Sequence, residues 1–258
     1  MPNEQSRPRR AGVETSIRTA AVWESLSRVV AARQKDLGRP LHVLDLGGGS
    51  GGFAVPLAER GHHVTVVDPS PDALASLARR AGEGGVAERI TALQGDAATL
   101  AGSSLEPADL VTCHGVLEYV DDAAGTLRDV SMALAPGGVL SLLLAQRLAV
   151  VLSRALSGQF QAAQQALTSE DGRWGENDPL PRRFDADQVR EMLAAVGLRE
   201  QEVHGVRVFA DLVPSAFLDA DADRAALLEL EKAVSEHPTY AFLGHLGAGL
   251  HVLAAREA

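Results

Sequence analysis

VLDLGGGSGGF, residues 43–53, decides the fold of this chain. An apolar run carrying Asp45 gives way to glycines at Gly47, Gly48, Gly49, Gly51 and Gly52. A second apolar run, VTVVD, then ends in Asp68, with Pro69 behind it. A sharp passage from strand to helix needs positions without a Cβ, and so does close approach of a ligand to the backbone. A helix opening near Gly51 offers free N–H groups and a partial positive charge. A carboxylate at the end of the second strand can accept from both hydroxyls of a ribose. Asp45 would repel a pyrophosphate. It suits a cationic ligand instead, directly or by holding the loop.

Outward from this stretch the pattern alternates. Strands are expected over residues 42–46, 63–67, 90–94, 108–113 and 139–145. Helices are expected over 52–60, closed by Gly61, over 71–80, closed by Gly82, and over 123–134, ended by APGG. Such alternation implies right-handed βαβ units and a mostly parallel sheet. Before it, apolar residues at Ile17, Ala21, Val22, Leu26, Val29 and Val30 have helical spacing over 15–33, stopped by Gly38 and Pro40. After residue 145 the alternation breaks. Residues 147–168 read as a helix with Gly158 inside it, and 169–181 as a polar, turn-rich loop. A helix over 185–196, capped by Asp185, a strand over 199–209, a helix over 216–236 and a strand over 247–254 follow. The expected division is a tail and cap helix at 1–40 and one domain at 41–258. Its insertion at about 146–184 leaves the carboxyl edge of the sheet, where open α/β sheets bind ligands.

Composition bounds the function. The chain has 258 residues, 46% hydrophobic, enough for a real core. Only 4% are aromatic, so that core is mostly Leu, Val and Ala. The single cysteine, Cys113, rules out an internal disulfide framework, and no Cys/His spacing suits a metal. No apolar segment follows MPNEQSRPRR, and the longest apolar run, GGVLSLLLA, is too short to span a membrane. A cytoplasmic protein with no membrane partner is expected. The net charge of −10 argues against DNA and against a broad RNA-wrapping surface, while leaving room for a local basic mouth.

A third carboxylate, Asp96, follows the third strand in LQGDA, where it can accept from an exocyclic amino group while Ala97 supplies a backbone N–H. Asp45, Asp68 and Asp96 thus surround one nucleoside pocket. The fourth strand ends in CHGVLEYV, where His114 and Gly115 can line the ligand and Leu117 and Tyr119 can pack around it. His114 is the candidate catalytic residue, with His204 and His245 as further imidazoles. Arg147, Arg182 and Arg183 are candidates to hold an anionic substrate. Trp174 is a lid, a stacking face or a loop anchor.

VLDLGGGSGG, VTVVDPS, LQGDA, CHGVLEYV and LAPGGVLSL, over residues 41–145, resemble the ordered motifs of the class I methyltransferases that use S-adenosylmethionine. The resemblance implies a Rossmann-like, seven-stranded, mostly parallel sheet with helices on both faces, ending in one antiparallel strand. It implies that the loop from Gly47 to Gly51 holds the methionine part of the cofactor, Asp68 the ribose, and Asp96 with Ala97 the adenine. His114 would lie beside the methionine moiety. IRTAAVW, GQF, GVRVF, LLELEKAVSEHPTY and LGHLGAGLHVLAARE extend the similarity to a narrower group, the methyltransferases that esterify the carboxymethoxy group of a tRNA wobble uridine. That likeness implies that Arg18 contacts the cofactor's carboxylate. The chain departs from the group at Ala145-Gln146, where a Tyr-Asn pair is usual, at Ala210-Asp211, where His-Asp is usual, and at His245, in place of an arginine. GVETS replaces a segment bearing Tyr and Lys.

The expected reaction is in-line transfer of a methyl group to a nucleophilic oxygen, a carboxylate being one option, with S-adenosylhomocysteine as co-product. Positioning supplies the acceleration, because an ionised carboxylate needs no base. The alternatives are an O- or N-methyltransferase of secondary metabolism and the tRNA ester synthase. An NAD-dependent oxidoreductase is disfavoured by Asp45 before the glycines and by the lack of a Tyr-Lys pair. A non-catalytic partner protein that binds the cofactor is the remaining reading.

Overall fold

The computed structural model describes residues 19–100 and 105–257. Helix α1, Ala20–Leu37, stops at Gly38, whose φ of 64° suits a residue without a Cβ. Then come β1 His42–Leu46, α2 Ala54–Glu59, β2 His63–Asp68, α3 Pro71–Glu83, β3 Ile90–Gln94 and β4 Ala108–His114. Next are α4 Ala123–Ala133, β5 Leu134–Ala145, α5 Arg147–Leu156, α6 Phe160–Thr168 and α7 Ala186–Ala195. The chain closes with β6 Leu198–Val206, α8 Asp221–Glu236 and β7 Gly249–Arg256.

The seven strands form one sheet in the order β3-β2-β1-β4-β5-β7-β6. β7 runs antiparallel to both neighbours, β5 and β6, so the antiparallel strand is last in sequence but inside the sheet edge. The central parallel strands β1, β4 and β5 are buried on both faces, which is why they read as near-continuous apolar runs, whereas the edge strand β3 is partly exposed. Leu44, Val111, Leu140 and Leu142 pack toward α4 and α7. Val43, Val64, Val66, Leu110 and Leu253 pack toward α1, α2 and α3. Because strand side chains alternate, the second face also receives Asp45, Thr112, His114, Ser141 and His251 as the strands approach the carboxyl edge. That polar row is a property of register.

Several expected boundaries move. Gly82 lies inside α3, which ends at Gly84, because Ser70 caps its start and the helix continues on the packing of Leu77 and Ala81. The residues between α4 and β5 are not a separate turn. Leu134 already pairs with Ala108, and the ladder resumes at Val139 with Leu110, so residues 135–138 bulge out of it. The single helix expected over 147–168 is two, broken at Gly158, whose φ is 72°. Asp185 makes no side-chain cap to α7; it pairs with Arg147 Nε at 2.9 Å instead. Helix α8 begins at Asp221 rather than 216, after a short 3-10 turn at Ser215–Phe217.

The insertion leaves and re-enters the sheet at one point. Phe184 N donates to Ala145 O at 2.9 Å, and Arg147 N donates to Phe184 O at 3.1 Å. α5 and α6 therefore stand over the carboxyl edge as a clasped excursion.

Candidate active site

A cleft of about 730 Å3 opens at the carboxyl edge of β1, β2 and β4. Gly47, Asp68, Pro69, Asp96 and Ala97 line it together with Gly115, Val116 and Tyr119. A second cleft, of about 610 Å3, lies at the opposite, amino edge beside His42, His63 and Glu106. The carboxyl edge is where loops leave all the parallel strands and where open sheets take ligands.

The glycine loop is shaped as much by its own packing as by room for a ligand. Gly47 has a φ of 69°, its N–H donates to Val67 O at 2.8 Å, and a Cβ there would overlap Val116. A Cβ on Gly48 would overlap the Asp45 carboxylate. Asp45 is 3% exposed and points beneath the loop; Oδ1 accepts from Thr112 Oγ1 at 2.6 Å and Oδ2 has no partner. Burial pushes its pKa up to about 6, against the hydrogen bond from Thr112 and with help from the Asp68 charge. Of the two readings of Asp45, a direct cation contact and a support for the loop, the geometry favours the second.

Asp68, which is 8% exposed, bridges the loop and α3. Its Oδ2 accepts from Gly49 N at 2.9 Å and its Oδ1 from Ser70 N at 2.8 Å. A carboxylate has about four acceptor sites, so two backbone bonds leave lone pairs for hydroxyls. Asp96 forms a capping box with Thr99: Asp96 N donates to Thr99 Oγ1 at 3.0 Å and Thr99 N to Asp96 Oδ1 at 3.3 Å. This tight turn buries Ala97 in the cleft wall. Gly51 lies outside the cleft lining, against Leu77 of α3. Arg18 lies outside the described residues.

His114 ends β4 on the α1 and α2 face. Its ring meets Phe53 edge-on, with centroids 4.7 Å apart, and Phe53 in turn lies 6.0 Å from Trp23. His114 Nε2 lies 2.9 Å from Ser141 Oγ, and Ser141 Oγ lies 2.8 Å from His251 Nε2. The Nδ1 atoms of both rings are buried without a partner. Burial lowers the pKa of His114 to about 4, and burial with the neighbouring His114, His204 and Arg28 holds His251 well below the usual histidine value. Leu117 is fully buried in the core behind this strand end, whereas Tyr119 is exposed at the cleft.

The insertion arginines are mostly occupied. Arg183, itself buried, pairs with buried Asp178 at 2.6 and 2.9 Å. Arg147 binds Asp185 and the carbonyls of Ser169 and Glu170. Arg182 reaches Asp121 O at 3.3 Å. The Arg154 guanidinium carbon lies over Trp174, 3.9 Å from the ring centroid, and the backbone N–H of Trp174 donates to Asp178 Oδ2 at 3.0 Å, so the Trp174 ring is packed against α5.

Four buried polar residues illustrate what the sequence reading left without a structural partner, Gln146 having stood there only as a departure from a Tyr-Asn pair. Gln146 is buried and its Nε2 lies 2.8–3.0 Å from the carbonyls of Gly244, Gly247 and Gly249, bracketing the start of β7. Glu231 is buried and accepts from the N–H groups of Val208, Phe209 and Ala210. Ser141 and His251 were the other two. The signal available for all four was a polar residue at an apolar position, which does not name its partner.

The cleft suits S-adenosylmethionine. Leu46, Val67 and Val116 offer apolar walls for an adenosine, and Asp68 and Asp96 offer acceptors for hydroxyl and amino groups. A methyltransferase-domain family profile matches residues 44–140. The tRNA 5-carboxymethoxyuridine methyltransferase of Escherichia coli strain K12 is 33% identical over 241 residues, 93% of this chain and 88% of that protein. The ubiquinone biosynthesis O-methyltransferase of Methylocella silvestris is 37% identical over 105 residues, which cover 39% of this chain and 38% of that protein. Among solved structures, the S-adenosylmethionine-dependent methyltransferase of Mesorhizobium loti aligns with a TM-score of 0.61 at 21% identity, covering 95% of this chain and 100% of that one. Magnesium protoporphyrin IX methyltransferase of Synechocystis PCC 6803 with bound SAH aligns with a TM-score of 0.60 at 16% identity, covering 98% and 90%. These two likenesses speak to the fold. The chain belongs to the class I S-adenosylmethionine-dependent methyltransferases, and within them it is related to the tRNA 5-carboxymethoxyuridine methyltransferase family. It is an enzyme that uses S-adenosylmethionine as methyl donor.

Proposed function

We propose that this enzyme forms a methyl ester on a carboxylate, and that the acceptor is the carboxymethoxy group of a modified uridine in tRNA. One observation carries the reading. The 33% identity to the E. coli protein runs over 93% of the chain, through the cap helix, the insertion and the C-terminal additions. The O-methyltransferase from M. silvestris matches over only 39%.

In this reading residues 1–40 are an N-terminal tail and cap helix, 41–258 the methyltransferase domain, and about 146–184 an insertion on the substrate side. Gly47, Gly48, Gly49 and Gly51 shape the loop beside the cofactor's methionine part, with Asp45 supporting it from below. Asp68 and Pro69 flank the ribose, Asp96 and Ala97 the adenine, and Arg18 the cofactor's carboxylate. When bound, the cofactor supplies a methyl group already activated on a sulfonium. The chain's own task is to hold the acceptor in line and keep water out. A carboxylate acceptor is ionised at neutral pH. This agrees with His114, whose low pKa makes it a poor base there.

A carboxylate on a small molecule is the second reading. The net charge of −10 and the internal pairing of Arg147 and Arg183 favour it. One experiment separates the two. The purified protein receives S-adenosylmethionine labelled in the methyl group, with undermethylated total tRNA in one tube and a metabolite extract in another. Label in a uridine ester that mild base releases supports the tRNA reading. Label only in the metabolite fraction overturns it, and a base-stable product overturns ester formation altogether.

A further inference from the structure

The turn that walls the cofactor cleft is tied to the root of the insertion by the side chain of Glu118. β4 pairs with β5 as far as His114 and Leu143, and Gly115 N donates to Leu143 O at 2.9 Å. Gly115 then takes a φ of 67° and carries the chain out of the sheet. Along a strand, every second residue turns its N–H and C=O to the same neighbour. Ala145 therefore turns its N–H to the side that β4 has just left. That N–H donates to Glu118 Oε1 at 2.7 Å. A side chain has replaced the next rung of the ladder.

The other bonds at this point lead to the substrate side. Phe184, where the insertion returns, takes up the place beside β5. Its N–H donates to Ala145 O at 2.9 Å, and Arg147 N donates to Phe184 O at 3.1 Å. Gln146 binds the carbonyls of Gly244, Gly247 and Gly249 ahead of β7. Both ends of the insertion and the approach to β7 thus meet at Ala145 and Gln146. Glu118 sits in a turn closed by Tyr119 N donating to Val116 O at 2.9 Å, and Val116 and Tyr119 line the cleft. A second tie runs parallel to the first: Arg182 reaches the carbonyl of Asp121, another residue of the cleft lining, at 3.3 Å.

We propose that Glu118 is a positioning residue that couples the cofactor cleft to the insertion: standing in for the missing β4 carbonyl, it fixes Ala145, and through Ala145 both ends of the insertion, against the cleft wall. A cofactor seated on Val116 and Tyr119 then sets where the insertion presents the methyl acceptor. The acceptor half of this inference rests on the substrate-side reading of the insertion above. The coupling half needs only the cofactor. Glu118 is 4% exposed and its Oε2 is buried without a partner. Burial raises its pKa above the usual carboxylate value, with backbone N–H groups and the Arg183 charge acting against the rise. A neutral Gln of the same length is thus a mild replacement that keeps the accepting oxygen, whereas Ala strands the Ala145 N–H.

The test uses the whole protein and reads amide hydrogen exchange residue by residue, with and without S-adenosylhomocysteine. The amides of Arg147 and Phe184 are the reporters, since neither residue lines the cleft. Bound S-adenosylhomocysteine should slow their exchange by about fivefold or more. Glu118→Ala should abolish that slowing while the dissociation constant of S-adenosylhomocysteine stays within about threefold, and Glu118→Gln should restore it. Arg182→Gln, at a partly exposed position that leaves folding intact, should weaken the slowing without abolishing it. No slowing in the parent protein overturns the proposal without recourse to any variant. So does slowing that survives Glu118→Ala. A loss of cofactor affinity beyond about tenfold in Glu118→Ala also overturns it, making Glu118 a part of the cleft wall alone. Transfer to undermethylated tRNA at saturating S-adenosylmethionine adds a kinetic check. Misplacing the acceptor should lower kcat/KM by about 10–100-fold in Glu118→Ala, with its pH profile unchanged and Glu118→Gln near the parent. A parent protein that shows the expected exchange pattern but no transfer to tRNA would fault the tRNA reading alone.

Discussion

A single methyl group at Gly48 tests whether the glycine loop is shaped by Asp45. Built on the native backbone, the Cβ of Gly48→Ala would overlap Asp45 Oδ2, lie 2.5 Å from its carboxylate carbon and 3.0 Å from Val66 Cγ1. Gly48 does not have a left-handed φ, so the strain is steric and not conformational. Asp45 cannot retreat, because it is 3% exposed and its other oxygen is held by Thr112 at 2.6 Å. Overpacking of this kind costs about 1–3 kcal/mol, and two rigid neighbours place Gly48→Ala near the top of that range. For a chain of this size that is a fall in Tm of about 5–10 °C. Asp45→Ala removes the obstacle at the expense of the Thr112 hydrogen bond, about 1–2 kcal/mol. The double variant should then be more stable than the sum of the single losses by about 1 kcal/mol or more. Urea denaturation of the four proteins, with calorimetric titration of S-adenosylmethionine, measures both sides. Additive losses, or a Gly48→Ala protein as stable as the parent, would refute the argument and return Gly48 to a role in ligand clearance alone.

Asp68→Ala should fold yet bind S-adenosylmethionine at least about tenfold more weakly, since it removes ligand acceptors and orphans the N–H groups of Gly49 and Ser70; unchanged affinity by calorimetry would remove Asp68 from the cofactor site. Glu231→Ala should cost about 3 kcal/mol in urea denaturation by stranding three N–H donors, with Glu231→Gln in between. An Ala variant within error of the parent would show that water satisfies them. His114 and His251 have folded pKa values below the usual 6.5, so below that pH the unfolded chain takes up more protons than the native one. Their contribution is therefore present above about pH 6.5 and lost as pH falls toward 4. Asp45, raised to about 6, acts in the opposite sense and contributes more as pH falls through that value. Hence His251→Phe should lose less stability than the parent between pH 7 and 5, and an equal loss would contradict a buried neutral imidazole.

Most of the strand skeleton was legible because it depends on local order. The first three strands fall within a residue of their expected ends, since each is an apolar run punctuated by Gly, Pro or a carboxylate. The cleft was legible for the same reason: in a parallel sheet every such run delivers its next residue to one edge, so Gly47, Asp68, Asp96 and Ala97 meet there. Helix ends were less legible. Gly82 reads as a stop and is not one, because packing of α3 on the sheet outweighs the propensity of one glycine. Gly158 reads as a tolerated interior glycine and divides two helices, because the chain must turn back to Phe184.

Sequence alone determined the strand alternation, the glycine loop between two carboxylates and, through resemblance, the cofactor. These are features of residues near one another along the chain, where periodicity and turn chemistry act. Tertiary structure alone decided the partners. Asp45 turns under Gly48 to Thr112, Arg183 is consumed by Asp178, and Ser141 bridges His114 to a histidine 110 residues away. No local pattern encodes these pairings. They follow from which strands become neighbours and from the alternation that sends every second side chain to the same face.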